Sequence, residues 1–489
     1  MSRDTFESRT GSRERYPGLL AAAAMAVYLL LLVGATTALT DAASACAAWP
    51  ACGDGLALPS TAAGYVALAH RIAAVFVGLL VVAALVAAWR EDEPRRVRAA
   101  TTLSAVLYPI QAGLGALVAT TDGGVLRATH LVVGMAIFGG LVAALAWTLE
   151  SRTGDPTDRP SNTDVGHPPA ASADATGAEP EPEGVGEAHE SPNLPTAPLA
   201  RAKTVAAAYF RLTKPRLMWL LCLVASAAMA LAGSIHAGLT PRVMLATLGG
   251  GVLAIGSAGT LNHVFERDID RRMQRTADRP LATDVVSVPN ALAFAAVLGA
   301  GSVALFASVN LLSAVLGVTA IAFYAVVYTL LLKPNTVQNT VIGGAAGALP
   351  ALIGWAAVTG SIGWGGIALA TVIFLWTPAH FYNLALAYKD DYERGGFPMM
   401  PVVRGETVTR KHILWYLGAT LVAAGALAIL SALGPVYVLT SVLFGGVFLW
   451  AVVRLHYERS EGAAFRAFHA SNAYLGALLL AIVVDTLVV

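Results

Sequence analysis

Residues 241–280 read PRVMLATLGGGVLAIGSAGTLNHVFERDIDRRMQRTADRP. The stretch opens with an apolar run over 241–262, and about 20 apolar residues wound as a helix cross the hydrocarbon core of a bilayer. The run ends in a dense block of acid, base and amide. Asn262, Glu266 and Asp270 recur at i, i+4 and i+8, so a helix puts all three on one face. Two carboxylates and an amide make a donor set for a hard cation of the Mg²⁺ type. The neighbouring Arg271, Arg272, Arg275 and Arg279 suit a phosphate-bearing ligand. Metal, diphosphate and membrane together point to transfer of a lipid group from its diphosphate.

The apolar pattern repeats on both sides of this stretch. Four such segments precede residue 150, at 18–39, 64–89, 99–120 and 127–149. Nine follow residue 210, at 213–236, 241–262, 285–307, 311–332, 338–358, 363–387, 410–432, 435–454 and 465–488. Of the 489 residues 56% are hydrophobic and 13% charged, against about a quarter charged in a soluble domain. The expected fold class is an all-α polytopic membrane protein, with a four-helix transmembrane domain (1–150) and a nine-helix transmembrane bundle (201–489). Between them, 151–200 is acidic, rich in Pro, Gly and Ala, and too poor in large apolar residues to order itself, which predicts a disordered linker. A net charge of +1 argues against nucleic acid as a partner. The polar first sixteen residues do not resemble a cleavable signal peptide. Cys222 sits inside an apolar segment and reads as packing.

Orientation follows from the basic residues. Arg95, Arg96, Arg98, Arg201, Lys203, Lys214, the arginines after Asn262, Lys333, Lys389, Arg404 and Lys411 all fall on one side when thirteen spans start from an inside N-terminus. That side is expected to be cytoplasmic, in a cell membrane. A second polar cluster, YKDDYERGGFPMMP at 388–401, lies on the same side. Asp390 and Asp391, with Lys389 beside them, are placed to hold a second Mg²⁺ on the same diphosphate and to neutralise the leaving group as an allylic C–O bond breaks.

The block 262–280 resembles the first acidic motif of the UbiA prenyltransferase superfamily. RDID followed by MQRTADRP is similar, more narrowly, to the protohaem IX farnesyltransferases. LTKPRLMW (212–219), QNTVIGGAAGALP (338–350), PAHFYNLA (378–385) and the 388–401 block extend the resemblance over 205–489. It implies a UbiA-type bundle that joins the farnesyl group of farnesyl diphosphate to a vinyl group of haem B, with water adding to give a hydroxyethylfarnesyl side chain. It also implies that Asn262, Glu266 and Asp270 hold the first metal and Asp390 and Asp391 the second. Glu266 stands where the family usually has Asp, one methylene shorter. Lys214, Arg275, Arg279, Lys333 and Lys389 are candidates to hold diphosphate or haem propionates. His380 either approaches the haem iron or is hydrogen-bonded within the bundle.

The first domain carries two histidines inside apolar segments, His70 and His130, at similar depth in the outer leaflet. They either ligate one haem as a pair or serve helix packing. The loop CAAWPACGDG (46–55) faces the oxidising side, where a disulfide can persist, and Cys46 and Cys52 are the candidates to form one. With His70-Arg71, QAGLGAL (111–117) and His130, this loop is similar to half of haem A synthase, over 17–150. The position three residues before His70, where that family has a Glu, is Ala67, which argues against oxidation chemistry here. The two resemblances imply membrane lipids, and haem A synthase or terminal oxidase assembly, as surroundings. Prenylation of a quinone or lipid precursor, and non-enzymatic haem delivery, stay open as other readings.

Overall fold

The computed structural model describes residues 3–39, 46, 49, 52, 58–121, 124–155, 158 and 195–487. Among the described residues there is no strand, and thirteen helices are long and apolar enough to cross a membrane. The first unit contains α1 (Arg3–Leu39), α2 (Ala62–Arg90), α3 (Arg95–Thr120) and α4 (Gly124–Thr153). Each packs on the next in sequence, and α4 closes back on α1. The second unit opens with α5 (Pro198–Leu212), a helix the sequence reading did not anticipate, followed by α6 (Pro215–Gly233), α7 (Pro241–Phe265) and the single turn α8 (Arg267–Asp270). Then come α9 (Val288–Ala307), α10 (Leu311–Ala322), α11 (Asn339–Thr359) and α12 (Trp364–Ala387). The short α13 (Lys389–Arg394) and α14 (Met400–Arg404) precede α15 (Glu406–Leu430), α16 (Pro435–Glu458) and α17 (Glu461–Leu487). The nine spanning helices of this unit neighbour one another in chain order, and α17 returns to α6, closing the ring.

Local chemistry sets the helix starts. Thr61 and Thr240 accept from Gly64 N at 3.1 Å and Val243 N at 3.3 Å, and Asn310 accepts from Ser313 N at 2.8 Å. Each side chain satisfies an amide that the first turn leaves unpaired. Proline at the first position of α6, α7 and α16 costs nothing there, because no acceptor exists for its missing N–H.

The structure departs from the expected elements at two places. The segment expected as one helix over 311–332 is α-helical only to Ala322; Phe323–Leu332 is a π-helix, with Lys333 N donating to Tyr328 O at 2.9 Å. The wider turn rotates Tyr324, Tyr328 and Thr329 relative to an α-helical continuation. The expected linker is ordered at both described ends. Ser151–Thr153 belong to α4, and Pro198–Ala200 begin α5. Asp158 Oδ1 and Oδ2 accept from Glu406 N at 3.0 Å and Thr407 N at 2.6 Å, capping α15. Residues 159–194, the rest of the expected disordered segment, lie outside the described residues.

The two units share one hydrophobic core, which runs from Tyr16 and Leu20 through Leu421 and Phe448 to Leu478. α1 and α4 lie against α15 and α16. At Gly418 a Cβ would stand 2.8 Å from Val142 Cγ1, so the crossing of α15 and α4 needs glycine. Tyr28 and Ser441 hydrogen-bond across the contact at 2.7 Å, and Glu150 pairs with both Arg96 (2.8 Å) and Lys411.

Candidate active site

The 262–270 face forms as the spacing predicts. Glu266 caps α7, yet its N–H still bonds Asn262 O at 3.0 Å and Asp270 N bonds Glu266 O at 2.8 Å, so the helical register carries through into α8. Asn262, Glu266 and Asp270 are only 2%, 3% and 2% exposed. A buried carboxylate requires partners, and cations from three other segments supply them. Lys333, which follows the π-helix, reaches Glu266 Oε1 at 2.6 Å. Arg279, from the loop after α8, reaches both oxygens of Asp270 at 2.8 Å and lies 3.9 Å from Glu266. Lys214 donates to Asn262 Oδ1 and to the Tyr324 hydroxyl at 3.0 Å, while Asn262 Nδ2 donates to Thr329 Oγ1 at 3.0 Å. The π-turn thus contributes Tyr324 and Thr329, two site residues that no charge pattern in the sequence marked.

Lys214 is held in the left-handed region (φ 54°, ψ 56°) just before Pro215. Such a conformation in a non-glycine residue stores about 1–3 kcal/mol and persists only where surrounding packing imposes it. Gly259 makes the approach of α7 possible: a Cβ there would sit 3.1 Å from Leu212 O and 3.3 Å from Lys214 Cγ.

The electrostatics follow from burial and crowding. Burial, helped by Arg279, pushes the Lys214 ammonium down to about 8, against the raising pull of Glu266 and Asp270. Lys333 is also lowered, chiefly by burial, with Glu266 pulling the other way. Burial alone would raise Glu266, but Lys333 and Lys214 outweigh it and hold the carboxyl below its ordinary value. At Asp270 burial prevails over Arg279 and the carboxyl is raised. Two carboxylates therefore face Lys214, Lys333, Arg279 and the nearby Arg275, an excess of positive charge that a diphosphate would neutralise.

The second cluster is built differently. Asp391 accepts from Gln274 N at 3.1 Å and Arg275 N at 3.0 Å and pairs with Arg394. Burial would raise it, but these partners hold it below the usual carboxylate range. It anchors the loop that carries Arg275 and Arg279. Arg275 lies over Tyr388 and Tyr392 at 5.0 and 5.6 Å, bridging the two clusters. Asp390 is exposed, and Lys389 contacts Glu406 at 3.3 Å. His380 is stacked between Trp376 (4.2 Å) and Phe468 (4.4 Å), with Nδ1 bonded to Ser471 Oγ at 2.7 Å. That is the bundle-bonded placement of the two considered for it. Among the described residues no three His, Cys, Asp or Glu converge as a complete metal site. The oxygen donors present fit Mg²⁺, which commonly takes one or two carboxylates and fills its remaining positions with water and substrate phosphate.

In the first unit, Cys46 and Cys52 are joined by a disulfide, and Arg71 donates to Cys46 O at 2.6 Å. His70 lies over Gly34 of α1 and His130 over Gly115 of α3, where a Cβ would stand 3.0 and 3.1 Å from the rings. Gln111 and His130 Nε2 are 3.2 Å apart, and the Nδ1 atoms of both histidines are buried without a hydrogen-bond partner.

The model of the UbiA prenyltransferase family matches residues 218–476, and that of a cytochrome oxidase assembly protein family matches 59–167. The chain is 61% identical over 481 residues to a protohaem IX farnesyltransferase of Haloquadratum walsbyi, covering 97% of each chain. A protohaem IX farnesyltransferase of Saccharopolyspora erythraea is 46% identical over 301 residues, 60% of this chain and 95% of its own. A solved structure of digeranylgeranylglyceryl phosphate synthase shares the fold at a TM-score of 0.50 and 15% identity, over 58% of this chain and 100% of its own. The chain belongs to the UbiA prenyltransferase family, and the relatives it matches along its full length are protohaem IX farnesyltransferases.

Proposed function

We infer that this protein makes haem O, and that the chemistry runs at the buried cluster of Asn262, Glu266 and Asp270. The C–O bond of farnesyl diphosphate breaks and the diphosphate leaves with the electron pair. A C–C bond forms between the farnesyl carbon and the terminal carbon of a haem B vinyl group. Water adds to the resulting carbocation and loses a proton, leaving the hydroxyethylfarnesyl group. Lys214, Lys333, Arg275 and Arg279 hold the diphosphate and stabilise the charge that builds on it as it leaves. Asn262, Glu266 and Asp270 would hold one Mg²⁺ and Asp390 would contribute to a second, the metals supplying further charge neutralisation on the leaving group, while Asp391, expected beside Asp390 as a ligand, has both oxygens taken by Gln274 N and Arg275 N and holds the loop. Burial of the cluster keeps water from the farnesyl cation until the haem carbon has reacted. The observation that carries this reading is the pair of buried carboxylates ringed by cations from three separate segments.

The concentration of basic residues at this end of the bundle supports a cytoplasmic site in a cell membrane. We read 1–150 as a haem-binding unit joined through 151–200 to the catalytic unit 201–489. The glycine-backed imidazoles of His70 and His130, each with a buried unpartnered Nδ1, fit a haem held between them. A low-spin bis-imidazole spectrum of the purified chain, lost in His70→Ala, tests that assignment.

Expression in a host lacking its own haem O synthase, followed by chromatography of extracted haems, tests the activity. Haem O is the expected product. Unchanged haem B together with a prenylated quinone would replace the acceptor; unchanged haem B alone would leave a haem-delivery role.

A further inference from the structure

A cavity of about 660 Å³ opens beside the second acidic cluster, within the usual size range of small-molecule sites. It reaches Gln274 and Arg275, on the loop that carries Arg279 to Asp270. From there it extends along Lys389 to Arg410 on α15 and Arg459 at the end of α16. Leu386, Ala387, Leu455 and Ala464 give it an apolar lining between these cations.

Arg410 is the unusual member. It is only 2% exposed, yet its Nε has no hydrogen-bond partner. Its terminal nitrogens make only long bonds, 3.3 Å to Glu406 Oε2 and 3.3 Å to Thr407 Oγ1. A buried guanidinium with an unmet donor is costly unless an anion completes it. Arg459, exposed and in the left-handed region (φ 48°), makes a 3.4 Å bond to His456 O and no ion pair among the described residues. Of the carboxylates in the same cavity, Glu406 meets Arg410 only at 3.3 Å and leaves its Nε open, and none pairs with Arg459 among the described residues. Asp391 is engaged by backbone amides and Arg394, Glu406 is shared between Lys389 and Arg410, and Glu461 and Asp390 are exposed.

We propose that Arg410 and Arg459 form the acceptor-binding wall, and that they take the two propionate carboxylates of haem B. The inference rests on the haem O reading above and assigns the acceptor site within it. A porphyrin is a flat apolar body with both carboxylates on one edge and the vinyl groups away from that edge. Arginine matches carboxylate geometrically, and the apolar strip of Leu386, Ala387, Leu455 and Ala464 within an otherwise polar cavity offers contact to the ring. The cavity reaches Arg275, so the vinyl edge of a ring anchored at Arg410 and Arg459 can lie toward the farnesyl diphosphate.

The test uses the full chain in membranes, with haem B or its propionate dimethyl ester as acceptor and with farnesyl diphosphate varied independently. Arg459→Gln, on the surface, and Arg410→Gln, buried, should each raise the KM for haem B about tenfold or more, as expected for loss of one charge-assisted contact, with the KM for farnesyl diphosphate unchanged. The dimethyl ester should be a poor substrate for the parent protein, and Arg459→Gln should use it as well as the parent does. If the parent makes haem O and the ester serves as well as haem B, or if the variants raise the KM for farnesyl diphosphate instead, the propionate assignment is overturned while the haem O reading stands. If the parent makes no haem O, both fall.

Discussion

Two groups of carboxylates at the same end of the bundle look alike in the sequence and are used differently in the structure. Glu266 and Asp270 are neutralised by the side chains of Lys333 and Arg279. Asp391 pairs with the Arg394 side chain but is also tied by the backbone amides of Gln274 and Arg275, and Asp158 is held by those of Glu406 and Thr407. The difference is one of mobility. A lysine or arginine side chain can turn from a carboxylate to an arriving phosphate at the cost of a few rotamers. A backbone N–H cannot leave without unravelling its loop. Acid balanced by side chains is free to serve a ligand, whereas acid balanced by amides holds structure.

Asp270→Ala separates the two groups most strongly. It should lower haem O formation about 10³-fold, the scale of losing a group that organises charge on the leaving diphosphate, while the protein still inserts. Near-normal haem O in extracts would remove Asp270 from the mechanism. The second cluster should split between its two members. Asp391→Ala should cost about 2–3 kcal/mol of stability by leaving two amides and Arg394 unpaired, seen as a lower Tm in detergent. Asp390→Ala should leave Tm unchanged and lower turnover by about 10²-fold if it contributes to the second metal. A fully active Asp390→Ala ends that assignment, and an unchanged Tm in Asp391→Ala ends the anchoring role.

The cations can be tested by pH. Lys214 is pushed down to about 8 by burial and by Arg279, so its charge is lost as pH rises through that value. The kcat/KM for farnesyl diphosphate should fall above it, and Lys214→Arg should move the falling limb to higher pH. For stability the sign is opposite. Between about 8 and the ordinary lysine value near 10.4 the unfolded chain binds the extra proton, so this residue's contribution to stability rises with pH. A kcat/KM flat to pH 10 would contradict the placement of Lys214 on the diphosphate.

The smallest effect belongs to Asp158. Asp158→Ala should cost about 1 kcal/mol, the value of a helix cap, and leave turnover unchanged. Its carboxyl is lowered because the bonds from Thr407 and Glu406 outweigh burial, so its contribution is lost as pH falls through the carboxylate range. Deleting 159–194 should change neither Tm nor turnover. Loss of activity in that deletion would give the segment a role beyond connecting the units.

Thirteen spans, their order and the 262–270 face were legible because bilayer crossing and helical spacing are local rules, readable from some twenty residues at a time. The site's second half was not. Tyr324 and Thr329 sit in an apolar stretch with nothing to distinguish them, and only the π-turn brings them to Lys214 and Asn262. The amphipathic α5 is too short and too polar for a search tuned to spans. Asp390 and Asp391 are adjacent and chemically identical, and which of them anchors the loop depends on the position of Gln274, more than a hundred residues earlier in the chain. Arg410 reads as one more basic residue flanking a span; its unmet Nε exists only because neighbouring helices bury it.

Composition and spacing alone were enough for an all-helical membrane protein, thirteen spans and an acidic face at the end of one of them, since each depends on neighbours within a few turns. The docking of the two units through α1, α4, α15 and α16 into one core, the division of acids into ligand-facing and loop-holding, and the cavity at Arg410 arose only in three dimensions. They depend on which distant side chains and amides meet, and burial then sets the energetic consequence of each charge.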